Sequence, residues 1–151
     1  TVSEYNKNPI KFDAILSISS LEHDGLGRYG DPIDPVGDLK AMEKCQSMLK
    51  PEGLLFLAVP IGLDLLVWNA HRIYGKKRFP LLICNWNIVD SFGFESIDFD
   101  SNIPFGYPHH QPIWVLKPRK KPRDYKGLSQ DHQTKELIRF YNTVAISLLQ
   151  S

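Results

Sequence analysis

Cysteines, long apolar runs and an excess of charge of one sign are all scarce in this sequence. The longest apolar run, LLFLAVPIGL, contains Pro60 and Gly62, and it is shorter than the ~20 residues that a membrane helix needs. A net charge of +1 gives no reason to expect nucleic-acid binding, which favours strongly basic surfaces. Two cysteines, Cys45 and Cys84, are too few for a disulfide framework or a zinc site.

The compartment stays open, but free cysteines without a visible signal or membrane segment favour a cytoplasmic location. The 151 residues, 42% hydrophobic and 23% charged, suit one folded domain of ordinary size. The chain starts at Thr1 and soon enters a strand pattern. We therefore expect that a further part of the domain precedes Thr1.

Two apolar runs flank an amphipathic segment in the first half of the chain. FDAILSIS (12–19) and LLFLAV (54–59) are apolar on both faces, as parallel strands covered by helices are. Between them, Asp34 is a plausible N-cap and Pro35 a plausible first residue of a helix. That helix should end before Gly53. Strand, helix and strand in this order predict a right-handed βαβ unit.

The second half is predicted from weaker patterns. Residues 62–78 are ambiguous between strand and helix, and 78–94 is predicted as a helix closed by Gly93. Two short strands, 95–100 and 112–118, are expected to form an antiparallel hairpin at a sheet edge. The predicted organisation is an α/β domain over 1–118, a basic linker over 119–128 and an amphipathic helix over 129–151.

The stretch EHDGLGRYGDP contains three glycines in the spacing of a dinucleotide-binding turn: Gly25, Gly27 and Gly30. In such a turn the third glycine opens the helix, so that backbone amides face the pyrophosphate. Here DPIDPVG separates the glycines from the helix, and the charges of Asp31 and Asp34 would repel a phosphate. We expect instead that the glycines let the loop turn sharply over the strand ends.

Several short motifs resemble the second half of a class I S-adenosylmethionine-dependent methyltransferase. They are Phe12-Asp13, the turn Leu21-Glu22-His23, LKPEG (49–53) and a strand that ends at Pro60. The glycine loop and NAHRIYG (69–75) are more specific. They resemble an uncharacterised family, domain of unknown function two-six-eight, and this likeness extends over residues 11–118.

The resemblance implies an α/β fold, a partial Rossmann-like sheet made of the fourth to seventh strands of a methyltransferase domain. These strands would be parallel, with a terminal antiparallel hairpin. The cofactor, S-adenosylmethionine, would bind only with the missing N-terminal half. Without that half, the strand 12–19 would be a sheet edge with apolar side chains and unpaired amides, so we expect the isolated chain to be only marginally stable.

The resemblance also assigns candidate site residues at the carboxyl ends of the first two strands, where open α/β sheets bind ligands. The cofactor-binding candidates are Ser19, Ser20, Leu21 and Glu22. His23 is the catalytic candidate, as a general base on a substrate hydroxyl or amine. The structural alternatives are an ordinary strand end for the serines and a bracing role for Glu22 and His23.

Two polar clusters are the substrate-binding candidates, and we expect them to face each other. They comprise Arg28, Tyr29 and Asp31 in the glycine loop, and Asn69, His71, Arg72 and Tyr74 in the later motif. Arg28 or Arg72 would bind an anionic group on the substrate. The alternatives are a loop that braces itself, with Arg28 paired to Asp31 or Asp34, and a buried structural network in the second cluster.

Three functions remain open on the sequence alone. The first is methyl transfer to an unknown oxygen or nitrogen acceptor on a small molecule, a glycan or a protein, if the N-terminal half is present. The second is a non-catalytic interaction module of the same fold. The third is a metal-dependent sugar-modifying enzyme that uses Asp98 and Asp100. We expect no metal site at His109 and His110, because adjacent histidines in a turn rarely both bind one ion.

Overall fold

The computed structural model describes residues 9–101 and 110–120. A four-stranded sheet has the order β1-β2-β6-β5, and a separate hairpin pairs β3 with β4. The strands are β1 Phe12–Ile18, β2 Leu49–Ala58, β3 Leu65–Val67, β4 His71–Ile73, β5 Trp86–Phe92 and β6 Ile113–Pro118. The helices are α1 Gly37–Met48 and α2 Arg78–Leu82, and Leu21–His23 and Ser96–Asp100 form 3-10 turns.

β1 and β2 lie side by side and run in the same direction. They pair in parallel, from Ala14 opposite Leu54 to Ile18 opposite Ala58, and α1 connects them. The predicted strand, helix and strand are therefore confirmed. Because parallel strands end at the same edge of a sheet, the segments that follow Ile18 and Ala58 emerge together.

The predicted start of the helix is wrong by two residues. α1 begins at Gly37 with Val36 as its N-cap, not at Pro35 after an Asp34 cap. The Asp34 carboxylate instead accepts a hydrogen bond from the Val36 amide at 3.0 Å and pairs with Lys40 at 2.6 Å. A side chain that bonds the amide two residues ahead forms a turn of its own, which here precedes the helix.

The long helix predicted over 78–94 is also wrong. α2 ends at Leu82, and the chain then forms β5, which pairs antiparallel with β6. The segment 95–100, predicted as a strand, is a 3-10 turn in which the Glu95 amide donates to the Asp98 carboxylate at 2.7 Å. The strand predicted over 112–118 is confirmed as β6, but its partners are β5 and β2.

The hydrophobic core lies on one face of the four-stranded sheet. Leu57 pairs with Trp114 across β2 and β6, and both are at least 97% buried. The Trp114 ring contacts Phe79 of α2 and Phe94, with ring centroids 4.6 and 4.4 Å apart. Aromatic rings at these separations attract one another beyond the area they bury.

The opposite face of the sheet is open at its two edges in the described part of the chain. Leu16 and Ile18 of β1 and Phe92 of β5 are 68%, 60% and 56% exposed, whereas Ala58 and Val115, on the central strands of the same face, are 3% and 6% exposed. β1 is an edge strand of this sheet, as expected from the sequence.

Within residues 9–101 and 110–120, none of the helices combines the length and apolar character needed to cross a membrane. His109, most of the predicted basic linker and the predicted C-terminal helix lie outside the described residues.

Trp114→Ala tests the position of the core. Removing this ring should lower the free energy of unfolding by about 3–5 kcal/mol, because a large cavity remains among packed aromatic side chains. Phe92→Ala, on the open face of a neighbouring strand, is the control and should change it by about 0.5 kcal/mol or less. Urea unfolding followed by circular dichroism measures both, and equal losses would contradict this assignment of the two faces.

Candidate functional site

The candidate site lies where β1 and β2 end. Ser19 follows β1 with a φ of 48°, in the left-handed region, and its amide donates to the Ala58 carbonyl at 3.0 Å. This unusual backbone conformation turns the chain directly into the 3-10 turn that carries Glu22 and His23. We call the group formed by Ser19, Glu22, His23, Arg28 and Tyr29 the carboxyl-edge site.

Glu22 is a buried carboxylate with one oxygen left open. Its side chain is 1% exposed. Oε1 accepts a hydrogen bond from Ser19 Oγ at 2.8 Å, and Gln111 Nε2 donates to the same hydroxyl at 3.3 Å. Oε2 has no hydrogen-bond partner among the described residues. Buried polar atoms are nearly always paired, so this acceptor calls for an explanation.

His23 is held in one tautomer by the backbone. Its Nδ1 lies within hydrogen-bond distance of the Ala70 carbonyl, and a carbonyl can only accept, so Nδ1 carries the hydrogen. Nε2 is then the nitrogen that can take up a proton, and it lies 3.5 Å from Glu22 Oε1.

The carbonyl of Ala70 brings the two predicted polar clusters together. It accepts from Arg28 Nη1 at 3.3 Å as well as from His23. The His23 ring meets the rings of Tyr29 and His71 edge-on, at centroid distances of 5.9 and 6.2 Å. Asn69, with a φ of 50°, forms the turn that presents this carbonyl.

Arg28 and Tyr29 form the exposed part of the site. The Arg28 guanidinium lies over the Tyr29 ring at 5.5 Å from the centroid, and Tyr29 is 72% exposed. Ser20 is exposed, whereas Leu21 is buried in the core cluster. Leu21 can therefore offer a ligand only its backbone.

Arg72 and Tyr74 belong to the interior rather than to this site. Arg72 is 1% exposed and donates to the carbonyls of Asp24 and Glu22 at 2.7 and 3.3 Å. The Tyr74 hydroxyl donates to Asp38 Oδ2 at 3.0 Å. Burial, together with the nearby Asp38 charge, raises the pKa of Tyr74 well above its usual value. We therefore leave both residues out of the proposed substrate site.

Asp38 is the buried acid that the sequence analysis missed. It is fully buried on α1. Arg78 Nε donates to its Oδ2 at 3.1 Å, Arg78 Nη2 bonds its other oxygen, and Arg72 Nε lies 3.8 Å from Oδ2. A signal was present, because Asp38 is one turn before the buried Met42 and so lies on the inner face of the helix.

The backbone amides of the glycine loop bind a carboxylate of the same loop, that of Asp31. Asp31 Oδ2 accepts from the amides of Gly25 and Gly27 at 2.7 and 3.3 Å, and Oδ1 accepts from the Tyr29 amide at 3.2 Å. The amides that would hold a phosphate in a dinucleotide turn are thus already bonded. Asp31 does not pair with Arg28, and it supports the loop from within.

These hydrogen bonds also set the charge state of Asp31. Desolvation acts to raise its pKa, but the amides of Tyr29, Gly27 and Gly25 outweigh it, and the pKa is below its usual value of 3.8. A side chain does not fit at Gly25, because a Cβ there would lie 2.1 Å from the Asp34 carbonyl oxygen.

The carboxylates of the sugar-enzyme hypothesis have other partners. Asp98 Oδ2 accepts from the Glu95 amide and lies 3.1 Å from His110 Nε2. Asp100 pairs with Lys76 at 2.6 Å. Residues 9–101 and 110–120 contain no group of three or more side chains that could hold a metal ion.

The family described as "Caenorhabditis protein of unknown function, DUF268" matches residues 1–103. This is more than half of the 151 residues. The chain belongs to this family. The DUF268 match includes the glycine loop, the segment 69–75 and all five residues of the carboxyl-edge site, whereas Gln111 and β6 lie beyond it. A search of the curated proteins found no match to the chain.

Asp38→Asn tests the buried charge network of the DUF268 chain. Removing the negative charge leaves two buried guanidinium groups uncompensated, and we expect a loss of about 3–5 kcal/mol in the free energy of unfolding. Asp13→Asn breaks only the exposed pair with Lys50 and should have little effect. Denaturant unfolding at neutral pH compares the two, and a small loss for Asp38→Asn would mean that the network contributes little.

The Asp31 carboxylate should make the glycine loop sensitive to acid. Since its folded-state pKa is lowered, its contribution to stability is present above pH 3.8 and lost as the pH falls through the lower folded value. NMR should show the Gly25 and Gly27 amides titrating together below pH 3.8. Asp31→Asn should remove that transition and speed hydrogen exchange of both amides. Asp90→Asn, the control, should leave the transition and both exchange rates unchanged. A transition that persists in Asp31→Asn would assign the acid response to another group.

Proposed function

We propose that this DUF268 chain supplies the carboxyl-side part of an S-adenosylmethionine-dependent methyltransferase domain that methylates an oxygen or nitrogen acceptor. The proposal rests on the parallel pair β1 and β2, whose common carboxyl edge carries a buried, half-satisfied carboxylate beside a tautomer-fixed histidine. The sheet order supports it, since β6 inserts antiparallel between β2 and β5. A terminal antiparallel pair is what the methyltransferase resemblance implies.

Glu22 provides the test of whether the cofactor fits. S-adenosylmethionine carries hydroxyl, amine and ammonium donors, and Glu22 Oε2 is a buried acceptor to which none of the described residues donates. Ser19, Ser20 and the backbone of Leu21 would line the cofactor beside it. When bound, the cofactor supplies an electrophilic methyl group on a sulfonium sulfur. The remaining contacts would come from a part of the domain that precedes Thr1.

The chain's own side chains would manage the acceptor and its proton. His23 Nε2 would accept the proton of a hydroxyl or amine, with the Ala70 carbonyl fixing the ring and Glu22 stabilising the imidazolium. Arg28 is exposed and would bind an anionic group on the substrate, whereas the Tyr29 ring offers an apolar surface. Alignment of acceptor and methyl group would supply a large part of the rate acceleration.

A non-catalytic interaction module of the same fold is the second candidate. The open sheet face favours it, because Leu16 and Ile18 of the edge strand β1 are more than half exposed. Exposed apolar groups that cluster in this way mark sites where proteins associate.

Calorimetric titration of the gene product that contains this chain separates the two candidates. We expect it to bind S-adenosylmethionine and S-adenosylhomocysteine, and Glu22→Ala to weaken both by roughly tenfold or more, since a hydrogen bond to a charged group is lost. Glu43→Ala removes an exposed carboxylate of α1 and should leave the affinity unchanged.

Absence of binding by the folded wild-type protein would overturn the methyltransferase proposal and favour the interaction module. Unchanged affinity in Glu22→Ala, with binding intact in the wild type, would remove Glu22 from the cofactor site. Far-ultraviolet circular dichroism of each variant verifies that the fold is retained.

A further inference from the structure

A second concave site lies at the opposite end of the sheet from the carboxyl edge. β5 is co-directional with β1, and its first residue, Trp86, pairs with Pro118 at the end of β6. Beside this pair, between α2 and the outer strand, is a cleft of about 310 Å³. Its lining residues include Pro80, Ile83, Trp86, Asn87, Ile88 and Arg119. Its volume is at the lower end of the range for small-molecule sites.

The cleft is largely apolar, with one fixed positive charge. Arg119 Nε donates to the Trp86 carbonyl at 3.0 Å, and its backbone amide donates to Asn85 at 2.9 Å. These two bonds position the guanidinium, whose terminal nitrogens have no hydrogen-bond partner among the described residues. None of the described residues that line the cleft is acidic.

This combination selects a class of ligand. A guanidinium with two open terminal nitrogens binds a carboxylate through parallel hydrogen bonds, and the walls formed by Ile83, Trp86 and Ile88 suit an apolar body. We propose that the cleft binds a small organic carboxylate with an aromatic or branched apolar body. This site is separate from the carboxyl-edge site and does not depend on its function.

The probes are 3-phenylpropionate and its uncharged counterpart, 3-phenylpropan-1-ol, titrated into the isotopically labelled protein. In NMR spectra the carboxylate should shift the Trp86 indole and the amides around Ile83 and Arg119 with saturation in the millimolar range. The alcohol should bind roughly tenfold more weakly, because it lacks the charged hydrogen bonds. Hippurate, which presents its carboxylate on a peptide-like body, tests whether a peptide C-terminus fits equally well.

Arg119→Gln should weaken the carboxylate by roughly tenfold and leave the alcohol unchanged. Arg119→Lys keeps the charge without the planar guanidinium. The affinity of this variant for the carboxylate should lie between those of the wild type and Arg119→Gln. Lys120→Gln is the matched control, an exposed positive charge next in sequence, and should have no effect.

Equal affinities for the acid and the alcohol would overturn the proposal, as would shifts that cluster away from the cleft or an unaffected Arg119→Gln. Wild-type protein that shows no saturable shifts with 3-phenylpropionate would overturn it as well. Hippurate that binds as tightly as 3-phenylpropionate, or more tightly, supports the proposal, because it is also a carboxylate with an aromatic body, and it adds a peptide C-terminus to the sources of that chemistry.

Discussion

The carboxylate of Asp38 lies fully buried where α1, β4 and α2 meet, and two guanidinium groups and a tyrosine hydroxyl converge on it. One carboxylate cannot neutralise two arginines. Arg78 takes the closer pair, and Arg72 directs its remaining donors to backbone carbonyls of Glu22, Asp24 and Asp34. Because breaking a buried pair leaves an uncompensated charge in the interior, separating these elements would cost stability. Arg72 thereby helps to fix the glycine loop to the core.

The geometry of the carboxyl-edge site follows from that attachment. Arg72 holds the loop from the interior, and Asp31 holds it from within through the amides of Gly25 and Gly27. Ala70, in the turn that precedes β4, is thereby positioned to accept from His23 and Arg28. Glu22 and His23 are held by hydrogen bonds before a ligand binds, so ordering these two side chains adds little entropic cost to binding.

Sequence patterns predicted the parts of the fold that depend on local character. β1 and β2 are apolar on both faces, and this alone indicated parallel strands. The prediction was wrong for the segment that forms β5, because Leu82, Trp86 and Val89 also fit a helical spacing. Only pairing with the distant β6 decides between helix and strand there. At the candidate site, the polar side chains of the sequence indicated the two clusters. The sequence pattern does not distinguish Arg28, which is at the surface, from Arg72, whose burial depends on the Asp38 carboxylate of another element.

Two acids at the centre of this structure, Asp38 and Glu22, are almost completely buried, and their difference bears on function. Both oxygens of Asp38 have hydrogen-bond donors, so the fold itself accounts for its burial. Glu22 has one oxygen bonded to Ser19 and one with no donor in the described part of the chain. An unsatisfied buried acceptor costs roughly 1–3 kcal/mol, which is a large fraction of a domain's stability. No described group offsets this cost at Glu22, whereas a ligand that donates a hydrogen bond to Oε2 would offset it. The proposed function rests on this difference between Glu22 and Asp38.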